Sequence, residues 1–479
     1  MDYTKLSLLE VSKKIHEREI SSEEITKQII EVIKKTENLN ALNSYNFEEA
    51  IQKAQEVDKK LAEGLDLPIL AGVPIVIKDN INIKGQKTTC SSKMLENFVS
   101  VYDATVIEKL KSQDAIFIGK ANMDEFAMGS SNENSAFGPV LNPVDTTRVP
   151  GGSSGGSAAS VASFQCYGAL GTDTGGSIRE PSSFCGVVGM KPTYGRVSRY
   201  GVVAFASSLD QVGPITRTVK DNAVMLSAIA GYDSKETTSA KVEVPNYLNE
   251  IKNNINGIKI GIAKEFFALG MDKDVEDAIK NAIEFYKQNG AEIVEVSLKD
   301  IDLALSAYYI ISSAEAVSNL DRYDGIRYGY RAKDYSDLVD LYVQTRTKGF
   351  GKEVKRRMML GNFVLSSGYY DAYYKKAKKV QQLISNSFDE AFKNCDVLLS
   401  PTSPSVAFKL GEKSNDHIKM YLSDVYTVPV NIVGLPAISF PCGKNSEGLP
   451  IGLQLIGKKF DESTLYTLAN FFEEGVRHE

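Results

Sequence analysis

The chain has 479 residues, with 55 Lys and Arg against 61 Asp and Glu, a formal charge of −6, and 43% hydrophobic residues. That balance belongs to a globular protein, and its mild acidity excludes the basic footprint of a primary nucleic-acid binder. No stretch reaches the ~18 consecutive apolar residues of a membrane span, and charge runs through every turn of the N-terminal segment, so the expected location is the cytoplasm.

Residues 1–64 read as a helical cap packed on a larger unit. Ser21-x-x-Glu24 has the capping-box pattern, and Ile25, Ile29 and Ile33 then recur every fourth residue through a charged segment. A second helix is predicted from Phe47 to Leu61, with Gly64 as its C-terminal stop. From Leu67 the pattern changes to short apolar runs, GVPIVIKDNI and DAIFIGKAN, with the helical ATVIEKLKS between them, which is an α/β rhythm.

Residues 151–215 are rich in Gly and Ser, yet Val161, Phe164, Val187, Val188, Val202, Val203 and Phe205 interleave with them and require burial, which excludes a flexible linker. Further on, 258–263 is predicted as a strand, 274–290 as a helix ending at Gly290, and 291–298 as the next strand. Residues 301–395 read as helical and aromatic-rich. Strands are predicted at 396–404, 436–443 and 450–457, with a closing helix after Asp461. Residues 65–479 thus form one continuous unit, with the chemically distinctive motifs in 71–215.

Five scattered cysteines without a C-x-x-C pair exclude a disulfide framework and a zinc ribbon. The three histidines, His16, His417 and His478, have no metal-ligand spacing, so no metal is expected, and any hydrolytic reading must use one of them or do without imidazole. Gly151-Gly152-Ser153-Ser154-Gly155 formally satisfies the G-x-S-x-G elbow, which would make Ser153 the nucleophile and His417 its base. No G-x-x-x-x-G-K-[ST] occurs, so the chain has no phosphate loop for ATP.

A second arrangement uses two serines and a lysine. Gly175-Gly176-Ser177 would expose a hydroxyl on a turn whose N–H groups are open to an oxyanion. Lys78 ends the apolar run Val73–Ile77, where burial would lower its pKa and free an amine to accept a proton through Ser153. The competing reading pairs Lys78 with Asp79 or another carboxylate. Ser-Lys hydrolases make the first arrangement chemically admissible.

GVPIVIKDNI at 72–81, GGSSGGSAAS at 151–160 and GTDTGGSIREP at 171–181 resemble the amidase signature family. The resemblance implies a single α/β/α domain around a mixed central sheet covered by helices on both faces. It implies a Ser-cisSer-Lys triad of Ser177 as nucleophile, Ser153 as bridge after a cis peptide bond to Gly152, and Lys78 as base. The oxyanion hole would be the N–H groups of Thr174, Gly175, Gly176 and Ser177, with Ser154 as a supporting hydrogen-bonding residue. Asp173 and Arg179 would shape the loop.

Segments 122–145, 315–334, 352–381 and 420–443 extend the resemblance over nearly the whole chain, to the family branch of glutamine-hydrolysing A subunits of tRNA-dependent amidotransferases. That branch implies hydrolysis of glutamine to glutamate and ammonia. The ammonia would pass to a B subunit that binds tRNA and uses ATP and Mg2+ to convert Glu-tRNA(Gln), with a small C subunit completing a heterotrimer and no cofactor on this chain. Free glutamine needs one cation and one anion at fixed separation. By resemblance these are Arg357 and Asp424, with Tyr308 beside them; the adjacent Arg356 and Tyr309 are open alternatives, and 128–131 would line the pocket. The cluster Lys375, Lys376, Lys378 and Lys379 reads as a solvated helix face. A stand-alone amidase of the same family and a non-enzymatic scaffold are the competing functional classes.

Overall fold

The computed structural model describes residues 2–268, 270–413 and 416–477. Its centre is an 11-stranded mixed sheet in the order β1-β3-β2-β4-β6-β5-β10-β11-β9-β7-β8. The strands are β1 (Leu42–Tyr45), β2 (Pro74–Lys78), β3 (Ile116–Ala121), β4 (Gly168–Asp173), β5 (Val188–Lys191), β6 (Gln211–Thr216), β7 (Lys259–Ala263), β8 (Glu292–Val296), β9 (Val397–Pro401), β10 (Ala437–Lys444) and β11 (Pro450–Gly457). β2 runs parallel to β3 and β4, and β7 parallel to β8 and β9, while the central ladders are antiparallel.

The N-terminal helices follow their periodicity. In Ser22–Lys35, Ser21 accepts a hydrogen bond from the Glu24 N–H at 3.0 Å, and Ile25, Ile29 and Ile33 are buried with the sheet. Helix Phe47–Ala62 buries Ala50, Ala54, Val57 and Leu61, and Gly64 follows it at φ +82°. The first 64 residues are nevertheless not wholly helical. Leu42–Tyr45 supplies β1, which pairs antiparallel with β3 and closes one edge of the sheet.

The Gly/Ser region holds β4, β5 and β6, strands without an apolar signature. Their small residues allow close approach: a Cβ at Gly168 would lie 2.3 Å from Met225 Sδ, and one at Gly213 only 2.0 Å from the Met190 carbonyl oxygen. One core joins the N-terminal helices, Val219–Ile229, Lys273–Gln288 and Glu462–Arg477 to the sheet. A second gathers Ala304–Leu320, Lys352–Leu365, Lys375–Ala391 and Val428–Val433. Lys375, Lys376, Lys378 and Lys379 are exposed at the start of helix Lys375–Ala391, as a solvated face requires. No helix among the described residues is long and apolar enough to cross a membrane.

Candidate active site

The site forms where parallel strands β2 and β4 end, the usual position for a binding crevice in such sheets. Every residue of β2 is buried, so Lys78 carries its amine into a closed interior with 0% exposure. Its Nζ bonds to Ser154 Oγ at 2.7 Å, Ser153 Oγ at 2.8 Å, Thr172 Oγ1 at 2.8 Å and the Thr172 carbonyl at 3.3 Å. No ion pair involves it among the described residues. Burial lowers its pKa to about 7, although Asp124, Asp173 and Asp210 face it and pull the other way.

The reading that pairs Lys78 with Asp79 is overturned. Asp79 lies 3.4 Å from Lys120 and accepts hydrogen bonds from Asn43 and Thr89 instead. The cause is the alternation of strand faces: Lys78 and Asp79 are sequential, so they diverge.

The Gly152–Ser153 peptide bond is cis. Ser154 binds both edges of the site: its N–H donates to the Ser177 carbonyl at 3.1 Å, and its Oγ donates to the Thr172 carbonyl at 3.0 Å. Ser177 keeps 7% exposure, whereas Lys78 and Ser153 keep none, so Ser177 is the hydroxyl that meets solvent.

Asp173 and Arg179 shape the loop between them. Asp173 accepts from Gly176 N–H at 2.9 Å, Ile178 N–H at 3.1 Å and Arg179 Nε at 3.0 Å. Burial alone would raise the Asp173 pKa; the Arg179 charge and hydrogen bonds take it down to about 2. Arg179 in turn donates to the Thr427 carbonyl at 3.1 Å, Gln454 Oε1 at 2.6 Å and Asn431 Oδ1 at 2.5 Å, which braces the loop against the C-terminal part of the chain.

One oxyanion donor expected from the sequence is corrected. The Gly176 N–H points back to Asp173, leaving those of Thr174, Gly175 and Ser177 without a partner among the described residues. The two glycines serve close approach: a Cβ at Gly175 would sit 2.7 Å from the Tyr308 ring, and one at Gly176, where φ is +143°, 2.3 Å from Thr427 Oγ1.

Tyr308, Arg357 and Asp424 come from three separate segments and are all buried. Arg357 donates from Nε to Glu353 Oε1 at 2.8 Å, its guanidinium lies 4.6 Å from the Tyr309 ring centre, and its Nη1 is buried without a partner. The neighbouring Arg356 is 39% exposed and pairs with Glu353 at the rim. Helix phase thus makes Arg357 the buried member of the pair and Arg356 the half-exposed one, while Tyr308 packs against Gly175 and the Tyr309 ring lies beneath Arg357. Asp424 accepts from Ser130 Oγ at 2.6 Å, and burial raises its pKa.

A cavity of about 300 Å3 beside them is lined by Gly129, Ser130, Ser131, Arg356, Arg357 and Tyr421, among others. Met128 is not part of this lining; it is wholly buried in the second core. His16, at the end of helix Leu8–His16, bonds to the backbone carbonyls of Ser12 and Leu67. The His417 backbone opens helix His417–Leu422, but its side chain, like all of His478, lies outside what the structure describes. Thr172, Asp124, Asp210 and Glu353 are site residues that sequence reasoning did not single out. Only Thr172 carried a signal, its place inside GTDTGGS.

Residues 24–466 match the family model described as Amidase. The chain is 56% identical over 478 residues to the glutamyl-tRNA(Gln) amidotransferase A subunit of Caldanaerobacter subterraneus subsp. tengcongensis, covering 100% of this chain and 98% of the relative. It is 56% identical over 477 residues to the protein of the same name from Clostridium botulinum, covering 99% and 98%. Among solved structures, the corresponding A subunit from Thermotoga maritima matches with a TM-score of 0.82 and 40% identity over 99% of this chain and 95% of that one. A peptide amidase bound to the competitive inhibitor chymostatin matches at 0.86 with 27% identity, over 100% and 99%.

Proposed function

The chain belongs to the amidase signature family, and from that premise we propose that it is the glutamine-hydrolysing A subunit of a glutamyl-tRNA(Gln) amidotransferase. One observation carries the reading: a wholly buried lysine whose side-chain partners are hydroxyls. A lysine kept for charge would have a carboxylate partner; one surrounded by O–H groups can exchange protons with them.

The neutral Lys78 amine takes a proton from Ser153, and Ser153 takes one from Ser177 as the Ser177 Oγ attacks the carboxamide carbon of glutamine. The tetrahedral oxyanion lies against the N–H groups of Thr174, Gly175 and Ser177. The protons return along the same path to the amide nitrogen, the C–N bond breaks, and ammonia leaves a γ-glutamyl ester on Ser177. Water, deprotonated by the same relay, cleaves that ester to glutamate and restores the serine. Arg357 holds the α-carboxylate and Asp424 the α-ammonium, with Tyr308 between them and the oxyanion loop.

A hydrolase that frees ammonia serves an acceptor elsewhere. The reading therefore includes a B subunit carrying ATP, Mg2+ and Glu-tRNA(Gln), a small C subunit, no cofactor on this chain, and a cytoplasmic heterotrimer. The chain acts in it as one structural unit. Co-purification with candidate partners, followed by glutamate release with and without Glu-tRNA(Gln) and ATP, tests it. The expected stimulation is ~5–150-fold, the range of ordinary site coupling. Full turnover of glutamine and of neutral amides by the isolated chain would make it a stand-alone amidase.

A further inference from the structure

Asp124 is buried at 0% exposure in a turn that joins β3 to the substrate-side loop. Its Oδ2 accepts the Asn132 N–H at 2.9 Å and its Oδ1 the Asn134 N–H at 3.0 Å, while its own N–H donates to the Ser153 carbonyl at 3.2 Å. Two glycines make room for it. A Cβ at Gly129 would lie 2.4 Å from Asp124 Cγ, and one at Gly152 would lie 2.1 Å from Oδ2. The carboxylate is therefore wedged between the loop whose Ser130 holds Asp424 and the peptide whose Ser153 hydroxyl meets Lys78.

We propose that Asp124 is a positioning residue serving both halves of the site: it fixes loop 129–134 against Ser153 and is the counter-charge that governs when Lys78 gives up its proton. This rests on the reading of Lys78 as the base. The groups facing Asp124 are Lys78 from β2, Glu133 from the loop and Glu180 from helix Arg179–Cys185. Those facing Lys78 are Asp124, Asp173, Asp210 and Cys90. Asp173 is already matched by Arg179, and Asp210 takes the Thr174 hydroxyl, the Phe205 and Ala206 N–H groups and the Arg199 charge. The cation facing Asp124 is Lys78 itself. Burial raises the Asp124 pKa to about 7 and lowers that of Lys78 to about 7, so both groups change charge over the same pH range.

Asp124→Asn removes the charge and keeps the size. The ammonium of Lys78 then loses its counter-charge and deprotonates more readily. In the assembled enzyme, the acid limb of kcat/KM for glutamine is expected to move about one pH unit lower, as loss of a nearby opposite charge dictates. KM is expected to rise severalfold, since an amide cannot accept both loop N–H groups. Asp124→Ser, uncharged and smaller, should move the limb the same way. A limb that stays in place while activity falls equally at every pH would make Asp124 merely structural and overturn the proposal.

Should neither variant fold, carboxyl carbon NMR of protein labelled with 13C-aspartate decides the matter. A buried carboxyl titrating with the acid limb, and moving to higher pH in Lys78→Met, is expected; absence of such a carboxyl, or no response to Lys78→Met, overturns the proposal. Retention of glutaminase activity by Lys78→Met would instead sink the underlying assignment of the base.

Discussion

Lys78 and Lys120 leave neighbouring parallel strands one residue out of register, Ile77 pairing with Lys120 and Lys78 with Ala121, so their side chains project to opposite faces of one sheet. Both are wholly buried. Lys120 meets the Ile81 carbonyl at 2.8 Å, the Lys87 carbonyl at 3.1 Å, the Asp79 carboxylate at 3.4 Å and a single hydroxyl, that of Thr88, at 3.3 Å. Lys78 meets three hydroxyls. A third buried lysine, Lys191, bonds to the carbonyls of Pro192 and Leu435, and burial brings its pKa down to about 7 as well. A lowered pKa is thus common to buried lysines here and does not by itself make a base. Carbonyl and carboxylate oxygens, which dominate around Lys120 and Lys191, have no proton to yield, whereas the three hydroxyls around Lys78 can pass one on. The partners of the amine, more than its burial, separate the chemical lysine from the structural ones.

The sharpest way to break that contrast is to remove each amine in turn. Lys78→Met is expected to lower glutamine kcat/KM by ~10⁴-fold or more while leaving a folded protein, and Ser177→Ala to match it, as triad deletions do. Lys78→Arg should not rescue activity, because a guanidinium stays protonated. Glutamate release measured beside thermal melting checks this; near-normal turnover of Lys78→Arg would show that charge alone was needed. Lys120→Met should do the reverse. It strands Asp79 as a buried unpaired carboxylate and is expected to cost about 3–5 kcal/mol of stability, read from the denaturant midpoint, with the folded fraction still active. Adding Asp79→Asn should restore much of the loss.

The pocket gives a smaller effect. Arg357→Ala or Asp424→Ala leaves one substrate charge unpaired, at about 2–3 kcal/mol, so kcat/KM for glutamine should fall roughly 30–150-fold. Reaction of Ser177 with a small neutral acylating probe should be unchanged; equal losses toward both would remove these residues from substrate binding. The smallest effect is on pH. Activity requires the neutral amine, so kcat/KM should rise about tenfold per unit below pH ~7 and level off above it. The stability sign agrees with burial: the folded pKa of about 7 lies below the ~10.4 of an unfolded lysine, so the unfolded chain binds the extra proton between them. Stability from this group therefore rises with pH across that window, and Lys78→Met should flatten the rise in a melting series.

Legibility in the sequence followed the strength of the apolar signal. β2, β3 and β7 to β11 carry short apolar stretches between turn residues and could be read directly. β4 and β6 could not, because glycines at 168, 171 and 213 face side chains and backbone closely enough to exclude a Cβ, and that packing removes the hydrophobic pattern. β1 hid between two strong helices. In the site, Ser153, Ser177 and Lys78 stood out through their motifs, whereas the burial of Arg357 beside a half-exposed Arg356 depends on the phase of helix Lys352–Leu365 against the core. Asp124 was illegible for another reason: nothing in NMDEF marks its acidic residues as buried, and only the fold turns them inward.

The brace on the nucleophile loop has a consequence for how the enzyme is made. Arg179 reaches Gln454, 275 residues later in the chain. A ribosome adding ~5–20 residues per second separates the two by roughly a quarter of a minute to a minute. Throughout that interval the serine loop lacks its support, and a substrate pocket built from Tyr308, Arg357 and Asp424 is still being assembled. A chain released early is an inert stump, not an unregulated hydrolase: the nucleophile is synthesised early and armed last.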